Sequence, residues 1–240
     1  MSGRNGRSGA RSRYLRAIWI RSDMHGEPVT VTSLSRALGH VPGTVSEQIT
    51  RLARDGFVIH ERYKPIALTP QGRRRAVRAI RDNRLVRCFL SDVLHIPWAE
   101  LITEAENLEG HTSRRFIEHV EASLHRPCHD PFGQPIPTMD EFAPEIRPDA
   151  PLPRIASRHW ISTTITRIDD APVDTLAFFH EQRLTPARDV RVRQSPDGRG
   201  AIEVTTDTST VFIPASDAAF LRACRSFVGQ ESDHPRERDT

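Results

Sequence analysis

The sequence predicts a mainly α-helical chain with a small β domain at its C-terminal end. Three observations carry that expectation. Apolar residues recur at helical spacing between Tyr14 and Leu124, as in Val45, Ile49 and Leu52. Eight of the 18 prolines fall between Pro127 and Pro153, which interrupts regular structure. Beyond them come short apolar runs bounded by turn residues, the pattern of strands.

Taken in order, the first dozen residues place Arg4, Arg7 and Arg11 among Gly and Ser, with no apolar content to fold around. They read as a basic arm, either a frayed terminus or a segment reaching a minor groove. Tyr14, Leu15, Ile18 and Trp19 then form the stripe of a first helix. Thr32 or Ser33 can cap a second helix carrying Leu34, Ala37 and Leu38 and ending at Gly39, and the turn His40-Val41-Pro42 follows. On the third helix Val45, Ile49 and Leu52 can face a core while Thr44, Ser46, Gln48 and Arg51 are free to meet a groove. Gly56 stops it. Phe57 to Glu61, returning as Ile66 to Leu68, makes a ribbon with Arg62 and Lys64 at its tip. This order is that of a winged helix-turn-helix, although an ordinary amphipathic surface helix would show the same periodicity. In the DNA reading Gln48 suits a base edge and Arg51 a phosphate.

Thr69-Pro70 is a cap followed by a favoured first helical residue, opening a long helix to about Leu94 that starts basic and turns apolar. Pro97 opens a helix through Leu101, Ile102, Ala105 and Leu108, broken near Gly110, and Ser113 caps another with Phe116, Ile117, Val120 and Leu124. Short apolar helices beside a DNA-binding head suggest a homodimer on a palindromic operator, because paired half-sites need paired heads; an intrachain bundle is the alternative. In the C-terminal part, strands are expected at Trp160 to Ile165, Val190 to Val192, Ala201 to Val204 and Thr210 to Ile213, with Asp197-Gly198 turning the middle pair. Helices are expected around Leu176 to Leu184 and, capped by Ser216, over Ala218 to Phe227.

Charge is distributed unevenly along the chain. Residues 1–90 carry 18 Arg or Lys against 6 Asp or Glu, whereas the following 150 carry 16 against 25. A basic head on an acidic body fits nucleic-acid binding. No apolar run approaches the ~20 residues of a membrane span, and the N-terminus lacks a secretory signal's apolar stretch, so no membrane partner and a cytoplasmic location are expected. Three widely spaced cysteines, Cys88, Cys128 and Cys224, argue against a disulfide framework. There is no phosphate-cradling glycine loop and no serine nucleophile elbow. The chain does not read as an enzyme; a hydrolase built on Glu106, Glu109 and His111 is the rival from that class, but no nucleophile, base and orienting residue can be assembled.

Cys128-His129-Asp130-Pro131-Phe132-Gly133-Gln134-Pro135-Ile136-Pro137, together with Tyr14 to Ile18, Leu68 to Gly72 and Glu104-Ala105-Glu106, resembles the diphtheria toxin repressor family of iron- and manganese-responsive regulators. The resemblance runs from about Ser12 to Pro137, and beyond that is one of layout. It implies a homodimer whose DNA binding is switched on by Fe2+ or Mn2+, and a C-terminal SH3-like barrel. The expected organisation is a disordered basic arm at 1–11, a winged-helix DNA-binding domain at 12–75, a helical dimerisation domain at 76–138, a proline-rich linker at 139–154, an SH3-like domain at 155–228 and a disordered tail at 229–240.

The family's metal ligands are where this chain departs. The first-helix positions hold Arg13 and Arg16, those of the long fourth helix hold Asn83 and Arg87, and those of the fifth hold Ile102, Glu106, Glu109 and Gly110. Guanidinium groups stay protonated and do not ligate metal. Three readings follow. Arg13, Arg16 and Arg87 could form a clamp with Glu106 and Glu109, taking the ion's place, so that no metal is required. The residues could be solvated and unpaired. Or a metal could sit at a relocated site built from Glu106, Glu109 and His111, making the protein an ordinary iron- or manganese-dependent repressor. The β domain could alternatively bind peptides, with the proline-rich linker as an internal ligand.

Overall fold

The computed structural model describes residues 2–61, 64–138, 148–196 and 200–225, with backbone alone at 2–8 and 225. The chain divides into two units, Met1–Ile146 and Arg147–Thr240.

The first unit is built on α1 (Ser2–Trp19), continued by a π-helical turn at Ile20–Met24. Helix therefore occupies positions that the sequence assigns to an unstructured arm. Tertiary contacts hold the end of that stretch: Arg11 donates to Asp55 at 2.8 Å and lies over the Phe57 ring, and a Cβ at Gly9 would stand 2.6 Å from the Glu109 carbonyl oxygen. Helix α2 (Val31–Leu38) begins earlier than expected, because Thr30 and Ser33 cap each other reciprocally across the first turn. Gly39 closes it in the left-handed conformation. Helix α3 (Pro42–Arg54) follows, then the ribbon β1 (Val58–Ile59) and β2 (Ala67–Leu68), paired antiparallel. Tyr14, Leu15, Ile18, Trp19, Leu34, Val45, Ile49, Leu52, Val58 and Ile66 share one buried core with the start of the next helix. The ribbon tip at Arg62 lies outside the described residues.

Helix α4 (Pro70–Asp92) starts as its sequence dictates, with Thr69 accepting from the Gly72 amide and donating to the Gly56 carbonyl at 2.7 Å. Its first turn presses on the ribbon, since a Cβ at Gly72 would fall 1.8 Å from the Phe57 carbonyl oxygen. Helices α5 (Trp98–Leu108) and α6 (Arg114–Ser123) pack against it, the latter capped by Ser113 as expected. Halfway along α4, Asp82 is largely withdrawn from water. Burial pushes its carboxyl up to about 6, although Arg78, Arg81, Arg75 and Arg114 pull the other way.

The second unit is a six-stranded antiparallel sheet of order β3-β8-β4-β5-β6-β7. Its strands are β3 (Ala150–Pro151), β4 (Ile161–Ile168), β5 (Asp189–Gln194), β6 (Ala201–Thr205), β7 (Thr210–Pro214) and β8 (Leu221–Arg225). Among the described residues three short helices accompany it: α7 (Leu152–Ile155), α8 (Val173–Glu181) and α9 (Ala215–Ala218). Two expectations need correction. The last prolines belong to this unit rather than to a linker, because β3 pairs with β8 and Leu152 is fully buried. The helix expected over Ala218 to Phe227 is the end of α9 followed by β8. Leu221 and Ala223 are buried on one face while the backbone of β8 serves two neighbouring strands, and that pairing outweighs the helix-favouring alanines. The turn at Asp197-Gly198 and the tail from residue 226 lie outside the described residues.

Two outcomes are expected. Gly72→Ala should lower stability by at least about 2 kcal/mol in a denaturant titration, because backbone of two elements has to separate. Asp82→Asn should stabilise the protein above pH 6 by about 1–3 kcal/mol, the cost of ionising a carboxyl whose folded value is raised. A raised acid contributes its stability below the unfolded value and loses it as pH rises through the folded one, so thermal melts of variant and parent should converge below about pH 4.

Candidate functional site

Two surfaces of the first unit carry the residues singled out by the sequence. The first is α3. Val45, Ile49 and Leu52 enter the core, while Thr44, Ser46 and Arg51 are exposed and Gln48 is half-buried between them. Arg51 pairs with Glu47 one turn earlier, a contact in water that a phosphate could displace at little cost. The Thr50 hydroxyl donates to the Ser46 carbonyl. A recess of about 430 Å³ lies between α3 and the middle of α1 and is lined by Arg11, Gln48, Arg51, Arg54 and Asp55. Lys64 is exposed beyond β1 and paired with Glu61.

The second surface is the junction of α1, α4 and α5. Arg13 and Arg16 lie one turn apart on α1 and so share a face. Arg16, only 8% exposed, sets one guanidinium nitrogen 2.9 Å from Glu106 Oε1 and 3.5 Å from Glu109 Oε2. Arg13 reaches Glu106 Oε2 at 3.3 Å. One guanidinium thus bridges both carboxylates that the family resemblance singled out, and ties the first helix to the fifth. Glu109 pays for its position, its carboxyl being raised by burial and by neighbouring Glu106 against the opposing pull of Arg16, Arg13 and Arg87.

Arg87 does not join this group. It points from α4 to Asp130, whose oxygen stands 3.3 Å away and whose side chain is fully buried. Asp130 in turn accepts from the amides of Phe132 and Gln134, closing the turn of the Cys128–Pro137 segment. Arg84 donates to the Pro135 carbonyl and Arg81 to that of Pro137, so three arginines spaced three apart on α4 hold the segment. The sequence reading missed these roles. The spacing of Arg81, Arg84 and Arg87, three residues apart on one helix, was the signal available, and it does not name their partners. His111 is exposed, and among the described residues no group of three or more His, Cys, Asp or Glu is arranged to hold a metal ion.

Comparison with known proteins matches both halves of this unit. Residues 10–66 match the family model described as iron dependent repressor, N-terminal DNA binding domain. Residues 69–138 match that described as iron dependent repressor, metal binding and dimerisation domain. The iron-dependent repressor IdeR of Mycobacterium tuberculosis is 28% identical over 196 residues, 77% of this chain and 84% of its own length. The diphtheria toxin repressor of Corynebacterium jeikeium is 31% identical over 129 residues, 54% of this chain and 53% of its own. A solved structure titled manganese-dependent transcriptional repressor complex with manganese is 31% identical, with a TM-score of 0.79 over 90% of this chain and all of that one. With its helical DNA-binding portion followed by an antiparallel sheet unit, the chain belongs to the diphtheria toxin repressor family of metal-dependent transcriptional repressors.

Proposed function

We propose that this protein acts as a homodimer that recognises a palindromic DNA operator through α3, with the ribbon β1–β2 as a wing. The observation that carries this reading is the division of α3 into a face fixed in the core and a polar face left to solvent beside basic residues. Val93 and Leu94 are about half exposed at the end of α4, and Phe116 on α6 lies edge-on to Phe89. This apolar surface falls in the stretch that matches the dimerisation model and would be covered in a twofold pair. The C-terminal sheet is read as the SH3-like domain of the family's longer members.

The family's ion would fall among Arg13, Asn83, Arg87, Glu106, Glu109 and Gly110. That set does not fit a transition metal: guanidinium cannot ligate, Arg87 is committed to Asp130, glycine offers no side chain, and the two glutamates already face Arg16. The geometry favours Arg16 in the ion's place, joining α1 to α5 without metal, so that DNA binding has no requirement for it. The names of the relatives favour a second reading, an ordinary iron- or manganese-dependent repressor with a non-standard site at Glu106, Glu109 and His111.

Replacing Arg51 by alanine should weaken binding to operator and random DNA alike and reduce the salt slope of log K by about one phosphate's worth. An unchanged salt titration would place α3 away from the backbone. The two metal readings separate in a gel-shift or anisotropy assay. If Arg16 is the bridge, operator affinity in chelator stays within a few-fold of that in added Mn2+, while Arg16→Ala, which leaves Glu109 buried and unpaired at a cost of about 3 kcal/mol, lowers both stability and affinity. Loss of binding in chelator and its return with Mn2+ or Fe2+ would establish the metal-dependent reading instead.

A further inference from the structure

A cavity of about 170 Å³ opens beside the arginine bridge, between α1, α4 and the end of α5. Its walls include Ser12, Arg78, Asp82, Asn83, Glu109 and Thr112, and the small residues Ala79, Ala105 and Gly110 leave the space unfilled. Two of the polar groups lining it are buried without hydrogen-bond partners among the described residues. Asn83 is 4% exposed and its Nδ2 donates to nothing. The Glu109 side chain is 8% exposed and neither carboxylate oxygen accepts a hydrogen bond, the nearest Arg16 nitrogen standing 3.5 Å away. Each such group lacks hydrogen bonds that a ligand could supply.

The lining selects among ligands by charge. A lone cation would meet Glu109 and Asp82 favourably but also the guanidinium groups of Arg78 and Arg75, and among the described residues there is no third carboxylate, imidazole or thiolate in the lining to complete a metal shell. A lone anion would meet the same arginines favourably but also both carboxylates. A compact molecule that carries both charges satisfies both sets, with its ammonium on the carboxylates and its carboxylate on Asn83 Nδ2 and Arg78. A cavity of roughly 150 Å³ holds a molecule the size of benzene, so the occupant has few atoms beyond its two charged groups. We propose that this cavity is a binding site for a small zwitterion of the α-amino acid type. Because it lies between the helices that join the DNA-binding portion to α5, its occupation would be felt at the DNA face; that consequence, unlike the binding itself, rests on the DNA-binding reading above.

Isothermal titration of the full-length protein, in chelator and without DNA, against the twenty amino acids tests the binding directly, with butylamine, butyrate and Mn2+ as separate titrants. At least one small amino acid should give saturable heat, with affinity at least tenfold above that of the amine or the carboxylate alone. Arg78→Ala, a change at a partly exposed position, and Asn83→Leu should each weaken it at least tenfold, while Arg51→Ala leaves it unchanged. Should Asn83→Leu fail to fold, Arg78→Ala decides. The proposal is overturned if no amino acid gives heat, if amine, carboxylate or Mn2+ binds as well, or if an amino acid binds and Arg78→Ala keeps parental affinity. With no DNA in the cell, a negative result leaves the DNA-binding reading as it stood.

Discussion

The bridge from Arg16 to Glu106 and Glu109 is the charged tie between the first helix and α5 in the first unit. That first helix is held twice. Leu15, Ile18 and Trp19 fix one side of α1 in the core that it shares with α3 and the ribbon, and Arg13 and Arg16 fix another side to α5. The apolar contacts are non-directional and would tolerate some sliding. The guanidinium, placed between two carboxylates and largely out of water, admits far less. The position of α3 relative to α5 is set by α4, which shares the core with α3 and packs on α5, and by the two arginines of α1.

Such a bridge is weak evidence for net stability, since desolvating three charges offsets much of their attraction. What the structure shows is a directional contact between α1 and α5. One Arg16 nitrogen, Nη1, lacks a partner among the described residues, as do both Glu109 oxygens by hydrogen-bond criteria. The junction is thus charge-paired but short of hydrogen bonds, and the small side chains around it leave a cavity where bulkier ones would have closed it.

A second set of arginines does comparable work on α4. Arg81, Arg84 and Arg87 take up carbonyls and the Asp130 carboxylate of the Cys128–Pro137 segment, which has little regular structure of its own. Phe132 lies edge-on to Trp98 and beneath the Arg87 guanidinium, so aromatic packing and charge fix the same turn. In the second unit the pattern recurs, with Asp149 accepting from Arg167 and Arg222 and joining the segment before β3 to β4 and β8; those hydrogen bonds lower its carboxyl despite burial.

The sequence alone determined the elements whose signals are local. The Thr69-Pro70 start of α4, the Ser113 cap of α6, the apolar stripe of α3 and the strands β5 to β7 were legible because a cap, a stripe or an alternation lies within a few residues of the backbone it directs. It also brought Arg13, Arg16, Glu106 and Glu109 into one question. Tertiary structure decided the rest, for reasons that act across long separations. Arg87 turned to Asp130 rather than to the glutamates because that carboxylate lies fully buried opposite it, and neither residue announces the other in sequence. Residues 218–227 read as helix by composition, yet Leu221–Arg225 became a strand because two neighbouring strands offered hydrogen bonds. Midway along α1, Arg11 pairs with Asp55 and Gly9 lies close against the Glu109 backbone, contacts with residues far along the chain that only the fold brings near. Local propensity chooses among conformations that are nearly equal in energy, and contacts made only in the folded chain settle the choice.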